Sequence, residues 1–305
     1  GYISALIIAI AFFGAGSTLL AYAHARAILL TVDVLFIIWA AFLIYRVADE
    51  AGAIRTIGQA LPHLTADRGM QAIIIGWVFA SFLQGVGGFG VPVAVIAPIL
   101  VGLGFTPLSA VIIPSLGHGW AVSFGSLGSS INALIATTGL SANVITPFSA
   151  IFLSTAGIAT GFVVVHAAQG WAAIRRLLVP ILVVGVVMGV VQLIVASTRL
   201  WNIGAFSAGM AGLLIAYPLA RRYRGEQREN GALNLKALTV ALSGYAILVG
   251  IILVVQLIPS IQGFLGKIVL QVDFPEVSTS EGFVTPAGPG RKIALFGHTG
   301  ALLVY

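Results

Sequence analysis

Four glycines crowd into the run Phe82-Leu83-Gln84-Gly85-Val86-Gly87-Gly88-Phe89-Gly90-Val91-Pro92, with an apolar stretch on either side. A helix rises about 1.5 Å per residue, so flanking arms of about 15 residues are about 20–24 Å long, short of a hydrocarbon core of about 30 Å. A segment that enters lipid and turns back exposes non-helical backbone at membrane depth. That is tolerated only under cover of protein or beside a water-filled cavity. The pattern predicts a re-entrant helical hairpin over residues 71–104, with a tip suited to holding a solute.

Composition places the hairpin in a bilayer. Hydrophobic residues make up 59% of the chain and charged residues 8%, with a mean hydropathy of +1.08, whereas a soluble domain carries about a quarter charged residues. The chain reads as an all-α polytopic membrane protein with the lipid bilayer as its solvent, multi-pass in the plasma membrane. The net charge of +6 rests on few residues grouped in short loops, a signal of orientation rather than of nucleic-acid binding. Absence of cysteine removes disulfides, Cys-ligated zinc and thiol chemistry. No cofactor or metal enters this reading.

Apolar runs predict spans over residues 3–22, 29–48, 143–167, 177–197, 201–220 and 237–257. Between the second and third lie the hairpin and a stretch, 106–140, interrupted by Gly117-His118-Gly119 and by Gly125-Ser126-Leu127-Gly128-Ser129-Ser130. It reads as a discontinuous helix with a polar centre. Basic residues test the layout. Arg175 and Arg176 precede one span, and Arg221, Arg222, Arg224, Arg228 and Lys236 follow the next but one, so two crossings put both clusters on the cytoplasmic face. The region of Arg46, Arg55 and Arg68 shares that face only if 71–140 makes one net crossing, which a re-entrant hairpin plus one broken helix does. Arg26, Arg199, Lys267, Arg291 and Lys292 then fall outside.

A re-entrant hairpin followed by a broken helix is the substrate site of many secondary transporters, and its physics favours anions. Val91-Pro92 opens the second arm, with proline suited to a first helical turn. A half-helix N-terminus offers unpaired N–H groups and the positive end of its dipole. Ser129 and Ser130 can cap the second half of the broken helix in the same way. Two such ends cradle a carboxylate without a buried arginine, and the hydroxyls of Ser123, Ser126 and Ser129 can read a second polar group. The candidate site is therefore Gly87, Gly88, Phe89, Gly90 and Pro92 with His118, Ser123, Phe124, Gly125, Ser126 and Ser129. Glycines also serve close helix packing, and a histidine or Trp120 can be structural.

The ordered set Gly87-Gly88-Phe89-Gly90-Val91-Pro92-Val93-Ala94, Leu100-Val101-Gly102-Leu103-Gly104-Phe105 and Ala121-Val122-Ser123-Phe124-Gly125-Ser126-Leu127-Gly128 resembles the core of the L-lactate permease family. The close match runs over about residues 85–128. The resemblance implies uptake of lactate, glycolate and related 2-hydroxymonocarboxylates by proton symport, from inverted repeats that move as an elevator. It implies a longer chain, with a partner repeat beyond Tyr305 and a span before Gly1. Residues 1–50 are then scaffold helices, 51–169 the transport module, 170–258 scaffold helices of the second half, and 259–305 an exterior loop with the start of the next apolar segment. A homodimer is left open.

Gln84 stands where the resemblance leads one to expect an acid, and His118-Gly119-Trp120 replaces an Asn-Thr-Ala-Pro-like stretch. His118 can supply the titrating group instead. Coupling candidates are His118, Gln84 and Asp33, with Asp33 near the outer interface in a solvated or capping position. Sodium in place of the proton is the alternative, since backbone carbonyls at such breaks bind cations too. An anion channel would need a continuous lined pore. An intramembrane hydrolase built on His118 and Ser123 lacks a G-x-S-x-G pattern, paired aspartates or a metal-ligand pair.

Overall fold

The computed structural model describes residues 1–88, 91–223, 235–302 and 304. Arg224 and Arg228 lie outside the described residues. Apolar helices dominate: α1 (Tyr2–Phe13), α2 (Ser17–Glu50), α3 (Ala53–Ala60), α4 (Arg68–Val86), α5 (Val91–Gly102), α6 (Pro107–Gly117), α7 (Gly125–Thr138), α8 (Ala142–Arg176), α9 (Leu178–Ala196), α10 (Gly204–Arg222), α11 (Leu235–Leu257) and α12 (Pro259–Leu265). Among the described residues, five helices are long and apolar enough to cross a bilayer, or six if the bent pair α6–α7 is one span. Large apolar side chains such as Phe148, Phe152 and Leu214 point outward, as lipid requires. This is a multi-pass membrane protein.

Spans 143–167 and 237–257 recur within α8 and α11, 177–197 corresponds to α9, and 201–220 corresponds to a 3₁₀ turn, Trp201–Ile203, followed by α10. The first two predicted spans differ from the reading. The break falls at Gly14, which ends α1 in a left-handed cap with φ 63°, so His24 and Arg26 lie inside α2 instead of between helices. Tertiary partners overrode their loop-like chemistry: Tyr2 hydrogen-bonds His24, and the Arg26 guanidinium lies 4.8 Å from the Phe274 ring. The hairpin arms are also unequal. α4 has 19 residues, about 28 Å, and is itself long and apolar enough to cross a bilayer, against the expected short arm of about 15 residues, whereas α5 has 12, about 18 Å.

α4 is the axis of the bundle. Every residue from Gly69 to Val86 is buried, enclosed by α5, α6, α8 and α10. Its middle, Ala72–Phe79, is wound as a π-helix, a form concentrated at functional sites. α10 approaches it backbone to backbone: a Cβ on Gly209 would stand 2.5 Å from the Phe82 Cα, and one on Gly85 would overlap Phe206. Part of the glycine cluster thus serves packing. Asp67 caps α4 by accepting from the Met70 N–H at 2.8 Å, and it also pairs with Arg176 at the end of α8. Thr65 donates to the Tyr223 carbonyl, and Arg68 lies over Phe105. These contacts gather residues 65–68, 104–105, 176 and 223 at one end of the bundle.

Residues beyond α12 form a narrow antiparallel ribbon. Val269–Leu270 (β1) pairs with Ile293–Ala294 (β6), Asp273–Phe274 (β2) with Gly288–Pro289 (β5), and Val277–Ser278 (β3) with Val284–Thr285 (β4). Its tip rests on the α1–α2 turn, where the Ser280 N–H donates to the Gly14 carbonyl at 3.0 Å. Its base is tied to α2 through Asp33, only 1% exposed. Arg291 donates to Asp33 Oδ2 through Nε at 2.8 Å, and His298 Nε2 lies 2.8 Å from Oδ1. The His298 ring stacks on Phe36 with centroids 4.9 Å apart.

Losing one partner of a buried ion pair strands the other charge, at a cost of about 3 kcal/mol or more. Arg291→Ala is therefore expected to lower the thermal unfolding midpoint of the detergent-solubilised protein by several degrees. Adding Asp33→Asn to that variant should recover part of the loss. Equal midpoints for wild type and Arg291→Ala would reduce the pair to a surface contact.

Candidate functional site

The two interruptions read from the glycines are present, and they touch. α4 closes at Val86, and the Gly87 and Gly88 N–H groups return to the Leu83 carbonyl at 2.8 and 3.4 Å. Gly88 takes φ 57°, a left-handed closure that glycine alone adopts without penalty. Phe89 and Gly90 lie outside the described residues. α5 starts at Val91, with Val91 and Pro92 both buried.

Across from this turn, α6 ends at Gly117 and a short 3₁₀ turn, Gly119–Ala121, leads to Phe124. α6 and α7 are bent by 50° across the break. The first turn of α7 is not right-handed. Ser126 (φ 46°, ψ 50°), Leu127 (53°, 40°) and Gly128 (76°, 25°) follow one another in the left-handed region. Two of the three carry side chains, at a cost of about 1–2 kcal/mol each. Such strain persists where the surroundings over-determine it, and it clusters at functional sites. A regular right-handed helix resumes at Ser129, 4% exposed, so the breaks deliver two helix starts to one place.

The Ser126 hydroxyl donates to the Gly87 carbonyl at 3.2 Å, joining one break to the other. Gln84, one turn before the tip, fills the space between them. A Cβ on Gly88 would overlap the Ser126 hydroxyl, and one on Gly125 would overlap the Gln84 amide and stand 3.0 Å from the Gln84 carbonyl. A second link runs deeper. Trp120 Nε1 donates to Ser81 Oγ at 2.9 Å, and Ser81 donates to the Trp77 carbonyl at 2.8 Å. Trp120 is thus a buried strut between α4 and the broken helix.

Of the sequence-derived residues, Gln84, Gly87, Gly88, Gly125 and Ser126 form this contact, with Pro92 and Ser129 at the helix starts beside it. Phe124 is fully buried against α10, and Ser123 is half-buried. His118, also half-buried, ends α6 with Nδ1 2.6 Å from the Pro114 carbonyl. A carbonyl only accepts, so Nδ1 carries the proton and Nε2 is left open to another partner. Asp33 is not part of this contact: its carboxylate, 1% exposed, is taken up by Arg291 and His298 rather than by solvent or a cap.

Two residues escaped the sequence reading. Gln192 in α9 is 0% exposed, Asn202 in the 3₁₀ turn Trp201–Ile203 is 3% exposed, and neither amide has a hydrogen-bond partner. A Cβ on Gly204 would lie 3.8 Å from the Gln192 Cγ and 3.3 Å from the Phe124 ring, and one on Gly128 would lie 3.2 Å from the Asn202 Cα. Both therefore border the break, as does Gln84, whose Oε1 is likewise buried and unpartnered. A buried polar group left unpaired costs about 1–3 kcal/mol. The available signal was one amide in each of two apolar runs, Val191-Gln192-Leu193 and Trp201-Asn202-Ile203. A separate groove of about 440 Å³ between α2 and α11 is apolar and shares no residue with the break.

Fold and site together define a multi-pass membrane protein in which a helical hairpin and a discontinuous helix meet inside the bundle. A family model described as L-lactate permease matches residues 1–280, and the chain belongs to that family. It is 30% identical over 164 residues to the L-lactate permease of Halalkalibacterium halodurans, a stretch covering 52% of this chain and 31% of that protein. It is 36% identical over 125 residues to the Bacillus subtilis L-lactate permease, covering 39% of this chain and 22% of that one. With the L-lactate permease of Escherichia coli K12 it shares 32% identity over 150 residues, 49% and 27% of the two chains. The chain thus matches under a third of the length of each of these relatives. No solved structure matches.

Gly125→Ala is expected to push Gln84 off its seat, at about 1–3 kcal/mol for an overpacked site. It should lower the unfolding midpoint by several degrees, while Ser130→Ala, at an exposed position, leaves it unchanged. Equal midpoints for the two variants would mean that the breaks do not pack as described.

Proposed function

We propose that this chain forms the solute-holding part of a secondary carrier for small 2-hydroxymonocarboxylates such as lactate or glycolate, with proton symport. The observation that carries the reading is the meeting of the two breaks, Ser126 on the Gly87 carbonyl with Gln84 wedged between them. Two helix starts beside that contact, at Val91 and Ser129, bring positive dipole ends to one point, which suits a carboxylate. α5, at about 18 Å, falls short of a hydrocarbon core of about 30 Å. Arg68 meets Gly104 and Phe105 at the base of the hairpin, so both arms rise from one end of the bundle. Arg68 and Arg176 lie at that same end, and Arg175, Arg221 and Arg222 flank its contacts, which suits a cytoplasmic face. The relatives named L-lactate permease supply the substrate class.

The substrate carboxylate then sits at the two helix starts beside that contact, Val91 and Ser129, and His118, with Nε2 open, is the candidate coupling residue. The test is uptake of labelled L-lactate by the full-length protein in proteoliposomes under imposed gradients. An inward proton gradient should drive accumulation, and unlabelled lactate inside should accelerate label entry. Accumulation driven by sodium alone would replace the coupling ion, and absence of counterflow would point to a channel. Gly88→Val should abolish uptake with membrane insertion intact, because it forces a β-branched residue into φ 57° against Ser126. His118→Ala should change the pH dependence of uptake more than the abundance of the protein. An unaltered pH profile removes His118 from the coupling scheme.

A further inference from the structure

Three residues that carry carboxamides, from three separate elements, border the break at Phe124–Gly128. The Gln84 amide of α4 lies against Gly88 and Gly125, the Gln192 Cγ of α9 lies across Gly204 from the Phe124 ring, and the backbone of Asn202 in the 3₁₀ turn lies against Gly128. Nearby, Ser126 bonds to Gly87, Trp120 to Ser81, and Ser81 to the Trp77 carbonyl, while Trp77 Nε1 is buried without a partner. Five amide atoms, Gln84 Oε1 and both polar atoms of Gln192 and Asn202, are likewise buried without a partner. None of the three residues is ionisable, and a fold that needed only apolar filling there would be more stable with it.

We propose that Gln192 and Asn202 are specificity-determining residues that read the 2-hydroxyl of the solute; this rests on the carrier reading above. A carboxamide offers a donor and an acceptor side by side. A 2-hydroxycarboxylate has the complement, a carboxylate that accepts and a neighbouring hydroxyl that donates. Pyruvate, a 2-oxo acid, only accepts, so the amide oxygens stay unpaired. Propionate has nothing at that carbon. A site built to bond a hydroxyl rejects analogues that lack it because its own buried groups are then stranded. Amides rather than charges also suit a carrier that must release its load.

The experiment uses full-length protein carrying Gln192→Met or Asn202→Leu, changes that keep volume and remove the polar atoms. Uptake of labelled L-lactate in proteoliposomes is competed with unlabelled L-lactate, pyruvate and propionate, beside thermal unfolding in detergent. The expected result is an unfolding midpoint equal to or above wild type. The apparent KM for lactate should rise at least about tenfold, the scale of one stranded buried group, with competition by propionate within about twofold of wild type. A lowered midpoint with parallel loss of all three acids would make the amides structural and overturn the proposal. A raised midpoint with the wild-type order of acids would also overturn it. Wild-type protein that carries none of the three acids sinks the carrier reading, and the proposal with it.

Discussion

The hydrogen bond from Ser126 to the Gly87 carbonyl joins two stretches of backbone that have left the helix, and neither stretch is viable alone in lipid. Non-helical peptide groups in a bilayer need protein or water around them. Here each break supplies part of the cover for the other, and Gln84 and α10 supply more. The left-handed turn at Ser126 and Leu127 belongs to the same constraint. Two side-chain-bearing residues hold an unfavourable conformation there, flanked by Gly125 packed on Gln84 and Gly128 packed on Trp201 and Asn202.

Much of this core was legible because glycine and proline act locally. The density of glycines over 85–90 and 117–128 marks where helices stop, whatever they pack against, and both breaks lie where those residues put them. Apolar runs of ordinary length gave α8 to α11 for the same reason. Longer-range effects were hidden. His24 and Arg26 read as a loop because their partners, Tyr2 and Phe274, are named only by the fold. Asp33 read as an interfacial carboxylate because Arg291 and His298 lie 258 and 265 residues further along the chain.

The candidate site was half legible. The hairpin and the broken helix could be paired from motif order alone, since both belong to one stretch of chain. Gln192 and Asn202 come from helices predicted as plain apolar spans, and a single amide in such a run carries little signal until its burial and lack of partners are seen. His118 was singled out by type, and the bond of Nδ1 to Pro114 divides its ring into one committed and one open nitrogen. The sequence alone cannot make that division.

The unequal arms of the hairpin have a mechanical consequence. α4 touches protein on every side, so moving it means shifting α5, α6, α8 and α10 together. α5 has a seated side, with Ile96 and Leu100 buried, and an open side, with Ala94, Pro98 and Val101 exposed. Pro98 also removes one rung from its backbone ladder. The long arm is held on every side and the short one on one side only, so the two differ in how many neighbours any displacement would have to carry along.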